Sequence, residues 1–232
     1  SSLSASYSGG YDFVNNDPDP MDDNGHGTKM AGIIASRHAT ARGIAPGSKI
    51  VAVKSLNAGG FGSSSSVAAG IDWCVTNKNV YNISVISMSL GTIGSVYTPS
   101  TNPQLYEPAL INAYNNGITL VAGSGNDGSI TGLIYPAISP YVISVGATYD
   151  ATSSTFTGLG CTDTSNIADK VTCFSNRAPF LTMMAPGAII TATQMQGGFG
   201  GSWGTSAAAP HISATIALML EKTPSLTPNE IK

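Results

Sequence analysis

The sequence is poor in charge: Asp, Glu, Lys and Arg make up 10% of 232 residues, against a typical value of about 25%. Ten Lys and Arg against 13 Asp and Glu give a formal charge of −3. No run of basic residues exists, so the electrostatic footprint of a nucleic-acid binder is missing. No apolar run approaches the roughly 20 residues needed to span a bilayer, and no signal-peptide pattern opens the chain. HExxH and paired CxxC motifs are both absent, which leaves a zinc site without support. Cysteine is scarce as well. Of the three, Cys161 and Cys173 bracket the polar stretch CTDTSNIADKVTC and can close a short loop in an oxidising compartment. Cys74 lies in VAAGIDWCV, whose apolar positions recur at helical spacing, and reads as a buried core thiol.

What is abundant is glycine, 27 residues, with 13 prolines. Short β-branched runs (KIVAVKSL, ISVISMSL, ITLVAGSG, YVISVGAT) alternate with helix-like stretches (SVAAGIDWCVTNKN, PQLYEPALINAYNNG). That alternation predicts an α/β fold with a mostly parallel sheet and helices on both faces. The continuous apolar character of the strands fits burial on both sides. No repeat or linker divides the chain, so one domain is expected. At the carboxyl end LTPNEIK predicts a helix start, with Thr227 as N-cap, Pro228 at the first position and Glu230 completing a capping box. At the amino end SSLSASYSGG has loop composition and leads into YDFV. Residues 1–232 are expected to be one piece of a longer domain.

Histidine is the side chain suited to general-base work near neutral pH, and there are three. His26 lies in DDNGHGTKMAGIIAS, between two glycines and ahead of an apolar helical pattern. His38, in ASRHATAR, reads as solvated, and His211 reads as a candidate for packing within a helix. The stretch GGFGGSWGTSAAAPHISATIALMLEK delivers Ser206 to the start of a long apolar helix. There, unpaired amides and the helix dipole favour negative charge. Ser206 is thus either a simple N-cap or a nucleophile.

The motifs decide between them. GTSAAAPH is similar to the nucleophile motif of the subtilisin-like serine proteases, and NGHGT followed by AG is similar to their histidine motif. Further stretches follow in the family's order, among them IAPGSKIVAVKSLNAGGFG, ISMSLG, VAGSGNDG, YPAISPYVISVGAT, FSNRAP and MMAPG. The resemblance covers nearly the whole chain and implies a three-layer subtilisin-like α/β fold and an acyl-transfer peptidase. On that resemblance His26 is the base, Ser206 the nucleophile, and the Asn126 amide with the Ser206 N–H the oxyanion donors. Gly60, Phe61 and Gly62 would pair with an extended peptide. Ser89, Leu90 and Gly91 with Ala122, Gly123 and Ser124 would wall the main pocket. Those walls carry no charge, so broad endopeptidase activity favouring large apolar residues is expected.

The family's orienting Asp ends a strand in an Asp-Thr-Gly or Asp-Ser-Gly step well before the histidine. No such step occurs here, and the acid is expected upstream of Ser1. Without it, the alternative is a catalytically impaired binding or regulatory module of the same fold. Two departures stand near the serine: Trp203, where Asn or Ser is usual, could narrow the leaving-group side, and Ala207 replaces Met.

Five of the ten aspartates fall within residues 12–23. YDFVNNDPDPMDDNGHGT resembles the calcium loop of thermitase-like members, which makes Asp12, Asp17 and Asp19 candidate ligands for a structural calcium ion; catalysis itself needs no cofactor. Other motifs carry less. GGSWG fits the esterase elbow with Ser202 as nucleophile, but only His211 follows it. GSGNDG fits a dinucleotide turn, but the two prolines after it forbid the necessary helix. Polypeptide substrates, with a propeptide or protein inhibitors, are the implied partners of a monomer that binds neither nucleic acid nor membrane. Low charge, the Cys161–Cys173 pair and the sequon Asn82-Ile83-Ser84 suit a secreted protein.

Overall fold

A computed structural model describes residues 3–153 and 155–232. In chain order the first half runs β1 (Tyr7–Asp12), α1 (His26–Ala35), β2 (Ile50–Lys54), α2 (Ser64–Thr76), α3 (Lys78–Tyr81), β3 (Val85–Met88), α4 (Glu107–Asn115) and β4 (Thr119–Gly123). The second half runs β5 (Val142–Tyr149), β6 (Phe156–Gly158), β7 (Cys161–Asp163), β8 (Met183–Ala188), β9 (Ile190–Thr193), β10 (Phe199–Ser202), α5 (Thr205–Lys222) and α6 (Pro228–Ile231). Strands β3, β4, β5 and β8 form a sheet in that order, every pair parallel. Strands β1 and β2 form a separate parallel pair, while β6–β7 and β9–β10 are antiparallel hairpins.

The four expected β-branched runs are all strands, and β4 and β5 are buried at every position. Alternation along β4 splits the core in two. Leu120 and Ala122 face Val67, Ile71 and Cys74 of α2 and Ala109, Leu110 and Ala113 of α4. Val121 faces the other way, with Ile143 and Val145 of β5, onto Ala208, Ala209 and Ile216 of α5. This is the three-layer arrangement predicted above. The amino end differs from expectation: Tyr7–Gly10, of loop composition, belongs to β1 and is held by parallel pairing with β2. At the other end the capping box forms. The Thr227 N–H donates to Glu230 Oε2 at 2.9 Å and the Glu230 N–H to Thr227 Oγ1 at 3.3 Å.

Cys161 and Cys173 are joined in a disulfide, as the sequence suggested, and Cys74 is free and buried. Burial pushes the Cys74 thiol pKa up to about 12, so no thiolate forms near neutral pH.

Candidate active site

Helix α1 starts at His26 because the chain before it satisfies the orphan amides of the first turn. Asp22 Oδ1 accepts the Asn24 and Gly25 N–H groups at 3.0 and 2.8 Å. Its Oδ2 accepts the Thr28 N–H and hydroxyl at 2.7 and 2.6 Å. Asn24 Oδ1 takes the His26 N–H at 3.2 Å, and its Nδ2 donates to the Ala58 carbonyl at 2.8 Å. Met30 and Ile33 then pack against Ile190 and Ala192 of β9 and against Ala207, the residue after Ser206. One apolar cluster thus fixes the His26 helix to the start of α5.

His26 is exposed. The water its ring has lost holds its pKa below the usual histidine value, the Lys29 charge lowers it further, and Asp22 opposes. That direction favours the neutral imidazole. Asp22 is the acid whose charge His26 feels, yet its four accepted hydrogen bonds bind it to the helix start. Among the described residues neither the His26 ring nor Ser206 Oγ makes a hydrogen bond, and no carboxylate orients the ring.

Ser206 is half-buried in the first turn of α5, after Gly204, whose positive φ of 116° favours glycine. A Cβ on Gly204 would stand 3.5 Å from Asn126 Nδ2, 3.6 Å from its Oδ1 and 3.7 Å from the Ser206 nitrogen. The side-chain amide and the backbone N–H therefore border one small space. Asn126 is oriented by Thr205, whose N–H and hydroxyl both donate to Oδ1 at 2.8 and 3.1 Å. A backbone N–H can only donate, so oxygen must face Thr205 and Nδ2 turns outward.

Pro210 lies inside α5 and has no N–H for the carbonyl four residues earlier, which is that of Ser206. The hydroxyl of Ser89, just beyond β3, donates to that carbonyl at 2.7 Å. His211 has a structural role: its Nδ1 bonds the Ala207 carbonyl at 2.8 Å, and burial holds its pKa down. In the neutral ring the proton sits on Nδ1 and donates. His38 is not simply solvated, as the sequence suggested. Its ring lies 4.6 Å from that of Phe199, and its Nδ1 accepts the Thr40 N–H.

A cleft of about 230 Å³ opens beside Ser206 and Asn126, with Ser89, Leu90, Gly91 and Gly123 in its walls and Ile93 and Ile134 as further apolar lining. Ala122 and Ser124 are buried behind it. The expectation of an uncharged lining is corrected at one point: Asp127 belongs to it. The buried Asn176, within FSNRAP, brackets this segment. Its Oδ1 accepts the Asp127 and Ser129 N–H groups, and its Nδ2 donates to Ser124 O and Asp127 Oδ2. The motif was visible in the sequence; its partners, some 50 residues away, were not. Gly60, Phe61 and Gly62 lie in a loop rather than a strand. The Phe61 N–H and carbonyl both bond Asn57, which leaves its exposed ring pointing to solvent. Trp203 is 53% exposed, and its ring lies edge-on to that of Phe156 at 6.5 Å.

A second cleft, of about 410 Å³, opens at the α1 start, between Asn24, Gly25 and Lys29 and residues 194–199 of the β9–β10 hairpin.

Of the three candidate calcium ligands, Asp12 is already taken up by other partners. Asp12 is 1% exposed, and its two oxygens already accept the Val14 and Asn15 N–H groups, the Asn15 amide and the Lys54 ammonium, the last at 2.9 Å. Burial alone would raise its pKa, but Lys54 and those N–H donors outweigh it and hold the carboxyl below the usual range. Lys54 also pairs with Asp23 at 3.2 Å. Asp17 Oδ1 is taken by the Asp19 N–H at 2.9 Å. Among the described residues no three acidic, His or Cys side chains converge on a common point. At Asp12 the positive charge is supplied by the Lys54 ammonium.

Known proteins resemble this chain closely. It is 35% identical over 224 residues to the minor extracellular protease Epr of Bacillus subtilis (strain 168), covering 96% of the chain and 30% of that protein. Identity to a subtilisin of Bacillus pumilus is 34% over 230 residues, 97% of the chain and 74% of that protein. Among solved structures, a cold-adapted subtilisin-like serine proteinase superposes with a TM-score of 0.78 at 30% identity, over 99% of this chain and 73% of that one. Sphericase gives 0.79 at 26%, over 99% and 75%. The chain thus spans from under a third to three quarters of the relatives it matches. The subtilase family (Peptidase_S8) profile matches residues 1–232 from end to end, and with the three-layer fold and the Asn126–Ser206 geometry this establishes that the chain belongs to the subtilase family.

Proposed function

We propose that the complete protein is a serine endopeptidase that works through an acyl-enzyme, with Ser206 as nucleophile and His26 as base. Ser206 Oγ attacks the scissile carbonyl and its proton passes to His26. The carbonyl oxygen, now negative, lies between Asn126 Nδ2 and the Ser206 N–H. Collapse breaks the C–N bond as His26 returns the proton to the leaving nitrogen, and water repeats the sequence on the ester. The observation that carries this reading is that the Asn126 amide and the Ser206 nitrogen both lie beside Gly204, with Asn126 Oδ1 turned to Thr205 so that Nδ2 is free to donate. Donors fixed beforehand stabilise developing charge without reorganising during the reaction.

The small walls of the Ser206 cleft, with Leu90, Ile93 and Ile134, support a preference for large apolar residues on the acyl side. Asp127 at the cleft extends tolerance to Lys and Arg. The disulfide and the extracellular relative Epr support secretion. An impaired module of the same fold is the second reading, favoured by the unpaired His26 ring. A serine-directed fluorophosphonate separates the two: labelling of the complete protein that disappears in Ser206→Ala supports the enzyme, and no labelling supports the module.

A further inference from the structure

The second cleft lies beside the base rather than the nucleophile. Gly25, next to His26, lines it, and so does Lys29, three residues on and therefore on the same helical face. Lys29 carries the only formal charge among its lining residues. The other polar side chains there are the amides of Asn24, Gln194 and Gln196. Among the described residues the Lys29 ammonium has no ion-pair or hydrogen-bond partner. Asp22, the nearest acid to His26 in its effect, is held by four bonds to the α1 start, and Asp23 pairs with Lys54. His38 packs on Phe199, which lines the same cleft.

We infer that this cleft receives the leaving-group side of the substrate and selects a carboxylate there through Lys29. The inference rests on the endopeptidase reading. In that chemistry His26 protonates the leaving nitrogen, so the residues after the scissile bond must lie on the His26 side, while the acyl residues fill the cleft beside Asn126. An unpaired ammonium in a recess without acids attracts a carboxylate and repels an amine. Two sources present that group: an Asp or Glu side chain within the first two leaving residues, or the carboxyl terminus of a peptide ending there.

The test uses the complete gene product and quenched peptides sharing one acyl side, with Glu, Gln or Lys in the first two leaving positions and an amidated end. A parallel Gln set ends in a free carboxylate at the second position. The expected order of kcat/KM is Glu over Gln over Lys. Glu over Gln is about fivefold at low salt, close to 1 kcal/mol at 1.4 kcal/mol per decade. It shrinks toward unity in 1 M salt, where the Debye length is about 3 Å. Lys29→Gln removes the preference and Lys29→Glu inverts it. A preference confined to the free-acid set assigns the site to chain termini, and one in the amidated set assigns it to side chains. Equal rates for all carboxylate and neutral peptides, or an order indifferent to Lys29→Glu, overturns the inference. Failure to cleave any peptide overturns the endopeptidase reading, and the inference falls with it.

Discussion

The Ser89 hydroxyl and Pro210 form a linked pair, and the size of the link can be worked out. In an unbroken helix the Ser206 carbonyl would accept the N–H of residue 210. Proline supplies none, and the 2.7 Å bond from Ser89 Oγ takes its place. S89A leaves a half-buried carbonyl without a donor. That costs about 1–3 kcal/mol when burial is complete, so the lower part of the range, about 1–1.5 kcal/mol, is expected here. P210A supplies the missing N–H, and in that background S89A should cost no more than about 0.5 kcal/mol. The predicted coupling is thus about 1 kcal/mol, well above the roughly 0.3–0.5 kcal/mol scatter of independent sites. The assay is urea unfolding of the four-member cycle built on Ser206→Ala, which stops self-digestion yet keeps the backbone carbonyl. In the active background S89A also loosens the turn carrying the Ser206 N–H, and kcat should fall about tenfold. Equal costs of S89A with and without P210A would refute the reasoning.

Asn126→Ala removes one of the two oxyanion donors; kcat should fall about 10²–10³, the range that subtilisin itself sets for such a loss, in steady-state peptide hydrolysis. Lys29→Met takes away a charge that depresses the His26 pKa, so the pKa rises and the acid limb of the kcat/KM profile shifts to higher pH; a fixed limb would contradict the electrostatic assignment. Lys54→Met strands the Asp12 carboxylate and should destabilise by about 3 kcal/mol in thermal or urea unfolding. Because the folded Asp12 pKa lies below its ordinary 3.8, its contribution is complete above that value and is lost as pH falls through the depressed one. With Lys54 in place, EDTA should leave the melting midpoint where excess calcium leaves it.

The parts of the molecule legible in sequence were those set by local pattern. β4 and β5 read as continuous apolar runs because both faces are covered, and the capping box at Thr227 needs only four residues. His26, Ser206 and Asn126 stood out as candidates because each lies within two residues of a glycine with positive φ, Gly25, Gly204 and Gly125, in a short motif. Contacts across the fold were not legible. Lys54 lies 42 residues from Asp12, and nothing local tells a calcium ligand from half of an ion pair. Asp127 reads as an ordinary loop acid until Asn176 turns its segment toward the cleft. β1 was hidden by the opposite effect: the two glycines of YSGG weaken its strand propensity, and pairing along β2 supplies what composition lacks.

The segment between β1 and α1 has one more consequence. It carries an exposed Met21, 71% accessible, on a proline-rich surface loop, the kind of site at which proteolytic nicking concentrates. Cleavage, however, demands an extended strand in the cleft, and this segment is tied at three places. Asp12 and Asp17 exchange backbone hydrogen bonds, Asp23 is held by Lys54, and Asp22 is bound to the start of α1. A cut near Met21 needs the flanking Asp22 and Asp23 ties to open, so on the endopeptidase reading the restraints that seat His26 also protect this loop from self-digestion.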